Sequence, residues 1–183
     1  MEADWAVEVG GAAPRLEADW RGFVDLHREV ARVDRIVEAQ AHPALRAALV
    51  TLNEARSPVF TSKCDVWELP QAAIDPVEFD CTADDGRVGL ASYVDVIGRE
   101  AGFFAAFAEH EAWVRRATAA LRAEPGPCGR VDLVVRSAVA GGAEGFGVTL
   151  YAAGCGVNAS HAEGAWAAIL NRAAAITMRA VAE

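Results

Sequence analysis

Phe146-Gly-Val-Thr-Leu-Tyr-Ala-Ala153, Gly154-Cys-Gly-Val-Asn-Ala159 and Ser160-His-Ala-Glu163 follow one another without interruption. The first piece alternates apolar and small or polar residues, the period of a half-buried strand. The second is a glycine-rich turn. The third opens a long helix, because Ser160 and Glu163 have the spacing of a capping box, in which hydroxyl and carboxylate satisfy each other's backbone amides. Behind it Trp166, Ile169, Leu170, Ala173, Ile176 and Ala180 fall on one helical stripe. Strand, glycine turn and helix thus end the chain, and the preceding segments are read against them.

Upstream, Arg130-Val-Asp-Leu-Val-Val-Arg-Ser-Ala-Val139 alternates well, and the turn Ala140-Gly-Gly-Ala-Glu-Gly145 joins it to the closing strand as a hairpin. Phe103, Phe107, His110, Val114, Ala117 and Leu121 describe a helix after Gly98, ended by Pro125-Gly-Pro127. Before it lie two strands, 59–69 and 88–97. The first has no clean apolar face: Phe60, Ser62, Cys64 and Val66 alternate with Thr61, Lys63, Asp65, Trp67 and Leu69, so its register is weakly specified. Between them, Asp75-Pro-Val-Glu78 has the residue types of a single helical turn.

The N-terminal third reads differently. Trp5-Ala-Val-Glu-Val9 suits a short strand. From Leu16, apolar residues recur at three and four (Trp20, Phe23, Val24, His27, Val30, Ala31), predicting an amphipathic helix over about 16–40. His42-Pro43 ends it, since the residue before proline leaves the α region, and proline opens the next helix. The expected architecture is a single α+β domain over 1–183. A mainly antiparallel sheet of four or five strands, β-β-α-β-β-α, occupies about 57–183, and a helical hairpin at about 15–56 packs on it.

Composition narrows function by exclusion. The net charge of −9 argues against a nucleic-acid partner, which needs a basic face. No apolar run reaches the ~18 residues of a membrane span, so no membrane partner is expected. The acidic start lacks the pattern of a signal peptide, and the expected location is cytoplasmic. Cys64, Cys81, Cys128 and Cys155 are widely spaced and form no Cys-x-x-Cys pair, so they read as ordinary thiols rather than a metal site. No cofactor is expected.

The turn after the last strand carries the candidate site. Gly154-Cys-Gly-Val-Asn-Ala159 has the spacing of a dinucleotide fingerprint, but no parallel strand follows to complete a Rossmann unit. What remains is a helix N-terminus able to hold a small anionic ligand, with Cys155, Asn158, Ser160 and His161 around it, Tyr151 on the strand end, and Lys63, the sole lysine, as a possible neighbour. The expected function is a non-catalytic binding or interaction module. An enzyme using cysteine, histidine or carboxylate groups in a cleft is the alternative, and a structural subunit the second. An apolar content of 53% and five tryptophans point to a homo-oligomer, a dimer.

Overall fold

The cleanest alternating stretches build the centre of the sheet. The computed structural model describes residues 1–82 and 84–181. Its strands are β1 (Glu2–Glu8), β2 (Leu16–Glu17), β3 (Val59–Pro70), β4 (Val88–Gly98), β5 (Gly129–Ala140) and β6 (Ala143–Gly156). Among the described residues they form one sheet in the order β1-β5-β6-β4-β3, with β2 also on β5. The helices are α1 (Val37–Ala41), α2 (Pro43–Asn53), α3 (Ala101–Ala105), α4 (Phe107–Arg122) and α5 (Ala159–Val181). The fold is α+β with an open mixed sheet. The expected mainly antiparallel sheet is corrected at one edge, where β1 and β2 run parallel to β5. Alternation assigns a strand its faces but says nothing of the direction of its neighbour.

One face of the sheet carries α2, α4 and α5. Leu133, Leu150, Val94 and Val148 project from the strands into a core with Leu49, Leu52, Trp113, Leu121, Trp166 and Ile169, all essentially inaccessible. Both buried indoles are satisfied: Trp113 Nε1 donates to the Thr177 carbonyl at 2.8 Å, and Trp166 Nε1 to Ser92 Oγ at 2.9 Å. Arg99 ties β4 to the end of α2, donating to the carbonyls of Val59 at 2.8 Å and of Asn53 and Glu54 at 3.1 Å each. Asn53 and Glu54 stand at the C-terminus of α2, where carbonyls lack intrahelical partners and a cationic side chain can satisfy them.

The N-terminal helical hairpin is the main correction. Only its second arm exists as expected, with Pro43 in the first turn of α2. In place of a helix over 16–40, Leu16 and Glu17 pair with Ala138 and Val139. Asp19 and Gly22 then take positive φ, +66° and +96°. The segment finishes in a 3₁₀ turn, Val30–Arg35, and the short α1. The apolar residues are used on two different surfaces, which one straight helix cannot reach. Leu16 packs with Ile97, Phe104 and Ala138, whereas Leu26 and Val33 join the helical core. The segment wraps the sheet edge, and its helical spacing reflects that wrapping.

A similar division breaks the expected helix after Gly98. The chain turns extended at Ala106, separating α3 from α4. Phe104 faces the Leu16 cluster, while Phe103 and Phe107 pack on the main core.

Among the described residues, the far face of the sheet is covered only at its ends. Leu16 and Ala18 close one end over Ile97 and Ala138. Ile74 and Phe79, from the 71–87 connection, close the other over Leu69 and Cys155. The single helical turn expected at Asp75-Pro-Val-Glu78 is there: the Phe79 amide donates to the Asp75 carbonyl at 3.0 Å, and Asp75 Oδ1 accepts from Val77 at 2.9 Å.

Candidate functional site

Between the two covers the central rows of the far face stay open. Register places Asp65, Tyr93, Tyr151 and Asp132 directly across from one another on β3, β4, β6 and β5. Trp67 follows on β3, its ring centroid 6.4 Å from that of Tyr93, which is 6.2 Å from Tyr151. The Arg136 guanidinium lies 5.8 Å from the Tyr151 ring centroid, is tied to Glu8 at 2.7 Å and donates to Tyr151 Oη at 3.3 Å. Arg130 forks onto Asp132 at 2.7 and 2.8 Å. The result is an aromatic row whose nearby charges are largely paired.

The next row holds Asp95, a buried carboxylate. Its Oδ1 accepts from the Thr149 hydroxyl at 2.7 Å. Burial pushes its carboxyl above the ordinary range, opposed by that hydrogen bond and by the charges of Arg136 and Lys63. Tyr93 is pushed up to about 12, by burial first and then by the negative charges of Asp95 and Asp65.

Opposite Asp95 the pairing of β3 breaks. Thr61 pairs with Val96 and Cys64 with Val94, so Ser62 and Lys63 together face Asp95. This is a β-bulge, which re-aims the side chains of the bulged strand. It also explains the mixed faces of 59–69: Thr61 lies on the same side as Cys64, whereas strict alternation would separate them. The Ser62 hydroxyl donates to the Glu17 carbonyl and anchors the wrapping segment here.

Beside the bulge, under the 20–38 segment, lies a cavity of about 510 Å³. Trp20, Leu26, Ile36 and Leu49 give it apolar walls, and Lys63, Arg35, Glu38 and Tyr93 supply polar groups. The Lys63 ammonium stands 5.8 Å from the Trp20 ring centroid and only loosely paired, 3.9 Å from Glu17. Cys64, also in the wall, is pushed up to about 12, chiefly by burial and then by Glu38. It is a neutral thiol at physiological pH.

The structure divides the sequence-predicted site residues among several places. Lys63 lines this cavity, and Tyr151 lies on the aromatic row. Cys155 is buried beneath Ile74 and Phe79, with its thiol pushed up to about 12 by burial first and then by a hydrogen bond with Cys81. Asn158, not Ser160, caps α5: its Oδ1 accepts from the His161 amide at 3.0 Å and its carbonyl from Ala162 at 3.0 Å. Ser160 and His161 are exposed on the first turn. Asn outcompetes Ser160 because it stands one residue before the helix begins, where a short acceptor reaches the third amide.

Gly154 and Gly156 belong to β6 and do not take positive φ. A Cβ at Gly154 would collide with the Trp166 amide and lie 2.5 Å from Trp166 Cα. These glycines let the helix lie against the strand, a packing role. A second cavity, of about 500 Å³, runs along the flank of α5 and is lined by Ala159, Ala162 and Glu163 with His42 and Leu90.

Trp20, Glu38, Trp67, Tyr93, Asp95, Asp132 and Arg136 were not among the expected site residues. Asp95 had a signal, a charged residue within the otherwise apolar Val94–Ile97 stretch of a central strand. Trp20 and Glu38 had none, since their placement depends on how 16–40 wraps the sheet. Among the described residues no group of three or more His, Cys, Asp or Glu side chains is arranged to hold a metal ion. No helix among them is long and apolar enough to cross a membrane.

No protein-family model, curated protein or solved structure matches this chain. The functional reading therefore rests on the geometry alone.

Proposed function

We propose that this chain is a non-catalytic binding module that takes a small amphipathic anion into the cavity beside the β3 bulge. The observation that carries this reading is the cavity itself. Its volume of about 510 Å³ lies within the roughly 300–1,000 Å³ of small-molecule sites. Its walls are mostly apolar with a few polar groups, the composition that binds a hydrocarbon body and orients one head group. Lys63 and Arg35 both line the cavity, and we assign the head group to Lys63 on the strand wall: its one ion pair among the described residues is the 3.9 Å contact with Glu17, so a carboxylate can settle beside the ammonium with little to displace. The anionic ligand expected at the α5 N-terminus is thus proposed at a different positive group.

Trp20 lines the cavity and reports on its contents. Titration with decanoate is expected to change the tryptophan emission saturably, and the change should vanish in Trp20→Phe. Decanol should bind more weakly than decanoate in the native protein and equally in Lys63→Met. Equal binding of the two by the native protein would remove Lys63 from the reading.

One observation favours the enzymatic alternative. Asp95 is a buried carboxylate with a raised pKa, on the face that also carries Tyr93 and Tyr151. Perturbed carboxylates of this kind serve as general acids or bases. The proposed self-association draws little from the helices, whose apolar faces are spent on the sheet. It would use the outer edges of β1 and β3, and sedimentation at high micromolar concentration tests it.

A further inference from the structure

Three of the four cysteines, from three distant parts of the chain, meet at one end of the far sheet face. Cys155 is the penultimate residue of β6, and its amide donates to the Cys128 carbonyl at 3.1 Å just before β5. That bond continues the β5–β6 register one step past Gly129 and Gly154, so Cys128 and Cys155 stand directly opposite. Cys81 arrives from the 71–87 connection and packs with Cys128 against the cluster of Ile74, Phe79 and Cys155. The Cys81 thiol is thereby brought beside that of Cys155. The connection is fastened over these strands by backbone bonds, Gly129 N–H to the Phe79 carbonyl at 2.8 Å and Arg87 N–H to the Gly156 carbonyl at 3.2 Å. Cys64 lies apart, in the wall of the cavity beside the β3 bulge.

We infer that Cys81 and Cys155 form an oxidative modification site, at which a peroxide converts two neighbouring thiols into a disulfide that staples the 71–87 connection to β6. Cys81 is half-buried and Cys155 fully buried, so Cys81 meets the oxidant. Its thiolate attacks one peroxide oxygen, the O–O bond breaks, and hydroxide leaves, giving a sulfenic acid. Cys155 sulfur then attacks the Cys81 sulfur, the S–O bond breaks, and water departs with the thiol proton. Overall, two thiols and one hydrogen peroxide give one disulfide and two waters. The two residues already pack in one cluster, so ordering of the chain does not limit the second step. Cys128 is held in a backbone hydrogen-bonded pair with Cys155, and its carbonyl is committed to that ladder. A direct Cys128–Cys155 bridge across such a pair requires the two strands to distort, because disulfide geometry is specific.

The consequence falls on the aromatic face. Phe79 and Trp67 border a shallow hollow of about 190 Å³ whose floor includes Ala91 and Ala153. A disulfide two residues from Phe79 fixes that rim. The inference is independent of the ligand proposed for the cavity beside the β3 bulge.

The test exposes the folded full-length chain to a stoichiometric excess of hydrogen peroxide, alkylates what remains, and maps peptides without reduction. The expected product lacks two hydrogens, links the Cys81 and Cys155 peptides within one chain, leaves Cys64 alkylatable after unfolding, and reverts with dithiothreitol. Its urea midpoint should rise, and amide exchange in 71–87 should slow. Cys81→Ser should lose the intramolecular link while remaining folded by circular dichroism. Cys128→Ser should keep it. Sulfinic or sulfonic acids in place of a cross-link, or links only between chains, would overturn the inference. So would an intramolecular bridge that survives in Cys81→Ser.

Discussion

Substituting alanine for Gly154 separates a packing glycine from a turn glycine. Gly154 lies on the helix side of β6, and a Cβ there would meet the Trp166 amide nitrogen, with the Ala165 carbonyl carbon 2.7 Å away. All of these atoms are backbone, so no rotamer change can relieve the clash. Helix α5 must move off the sheet, and it carries Trp166, Ile169, Leu170 and Ala173, all fully buried. Overpacking a core costs roughly 1–3 kcal/mol, and a backbone-to-backbone clash belongs at the upper end, about 3 kcal/mol. At ~2–4 °C per kcal/mol for a chain of this size, the melting temperature should fall by about 6–12 °C. Gly164→Ala is the matched control. It sits in the same helix with nothing within 4 Å of the new methyl, and replacing a helical glycine there should stabilise by roughly 0.5–1 kcal/mol. Urea unfolding followed by circular dichroism measures both. If Gly154→Ala unfolds within ~0.5 kcal/mol of the native protein, the close approach of α5 to β6 is not what selects glycine.

Three further substitutions test the energetics. His110 is fully buried, with Nδ1 3.0 Å from the Ala106 carbonyl, and burial pushes its pKa below the ordinary value. The native state refuses a proton that the unfolded chain accepts near pH ~6.5, so stability present above that pH is lost as pH falls. The loss can reach about 1.4 kcal/mol per pH unit, and urea midpoints at pH 7.5 and 5.5 should differ less in His110→Leu. Asp95 has the opposite sign: its folded pKa is raised, so its contribution is fully present below the unfolded value and lost as pH rises through the folded one. Asp95→Asn keeps an acceptor for Thr149 and should be more stable than the native protein at pH 7, with the advantage shrinking towards pH 4. Equal stability of the two proteins at pH 7 would show that the carboxylate is solvated. Arg99→Met removes the charged donors to four carbonyls and should cost about 1.5–3 kcal/mol. A chemical-denaturation difference below ~0.5 kcal/mol would show that water replaces them.

Strands β4, β5 and β6 and the two long helices were legible because each buries one face. Alternation in 88–97, 130–139 and 146–153 and the stripes through Trp113 and Trp166 record that burial directly. The wrapping segment was not legible, since Leu16 and Leu26 are equally apolar whether they face one helix surface or opposite sides of a sheet. The bulge at Ser62 and Lys63 was half legible: it left a strand without a clean face, but not the position of the extra residue. Gly154 and Gly156 show the same limit, because a glycine required by a neighbouring backbone looks in sequence like one required by a turn. The candidate site suffered most. Its cavity joins Lys63 on β3 to Trp20 and Glu38 on the wrapping segment, and that contact depends on tertiary packing with no local spacing to mark it.

The measurement that bears most directly on the proposed function is calorimetric titration of the native chain and of Lys63→Met with decanoate and decanol. The account predicts saturable binding at one site per chain. Decanoate should be favoured over decanol by about tenfold in the native protein, some 1.4 kcal/mol, and by nothing in Lys63→Met. Absence of binding by either compound, or a preference for decanoate that survives Lys63→Met, would contradict it.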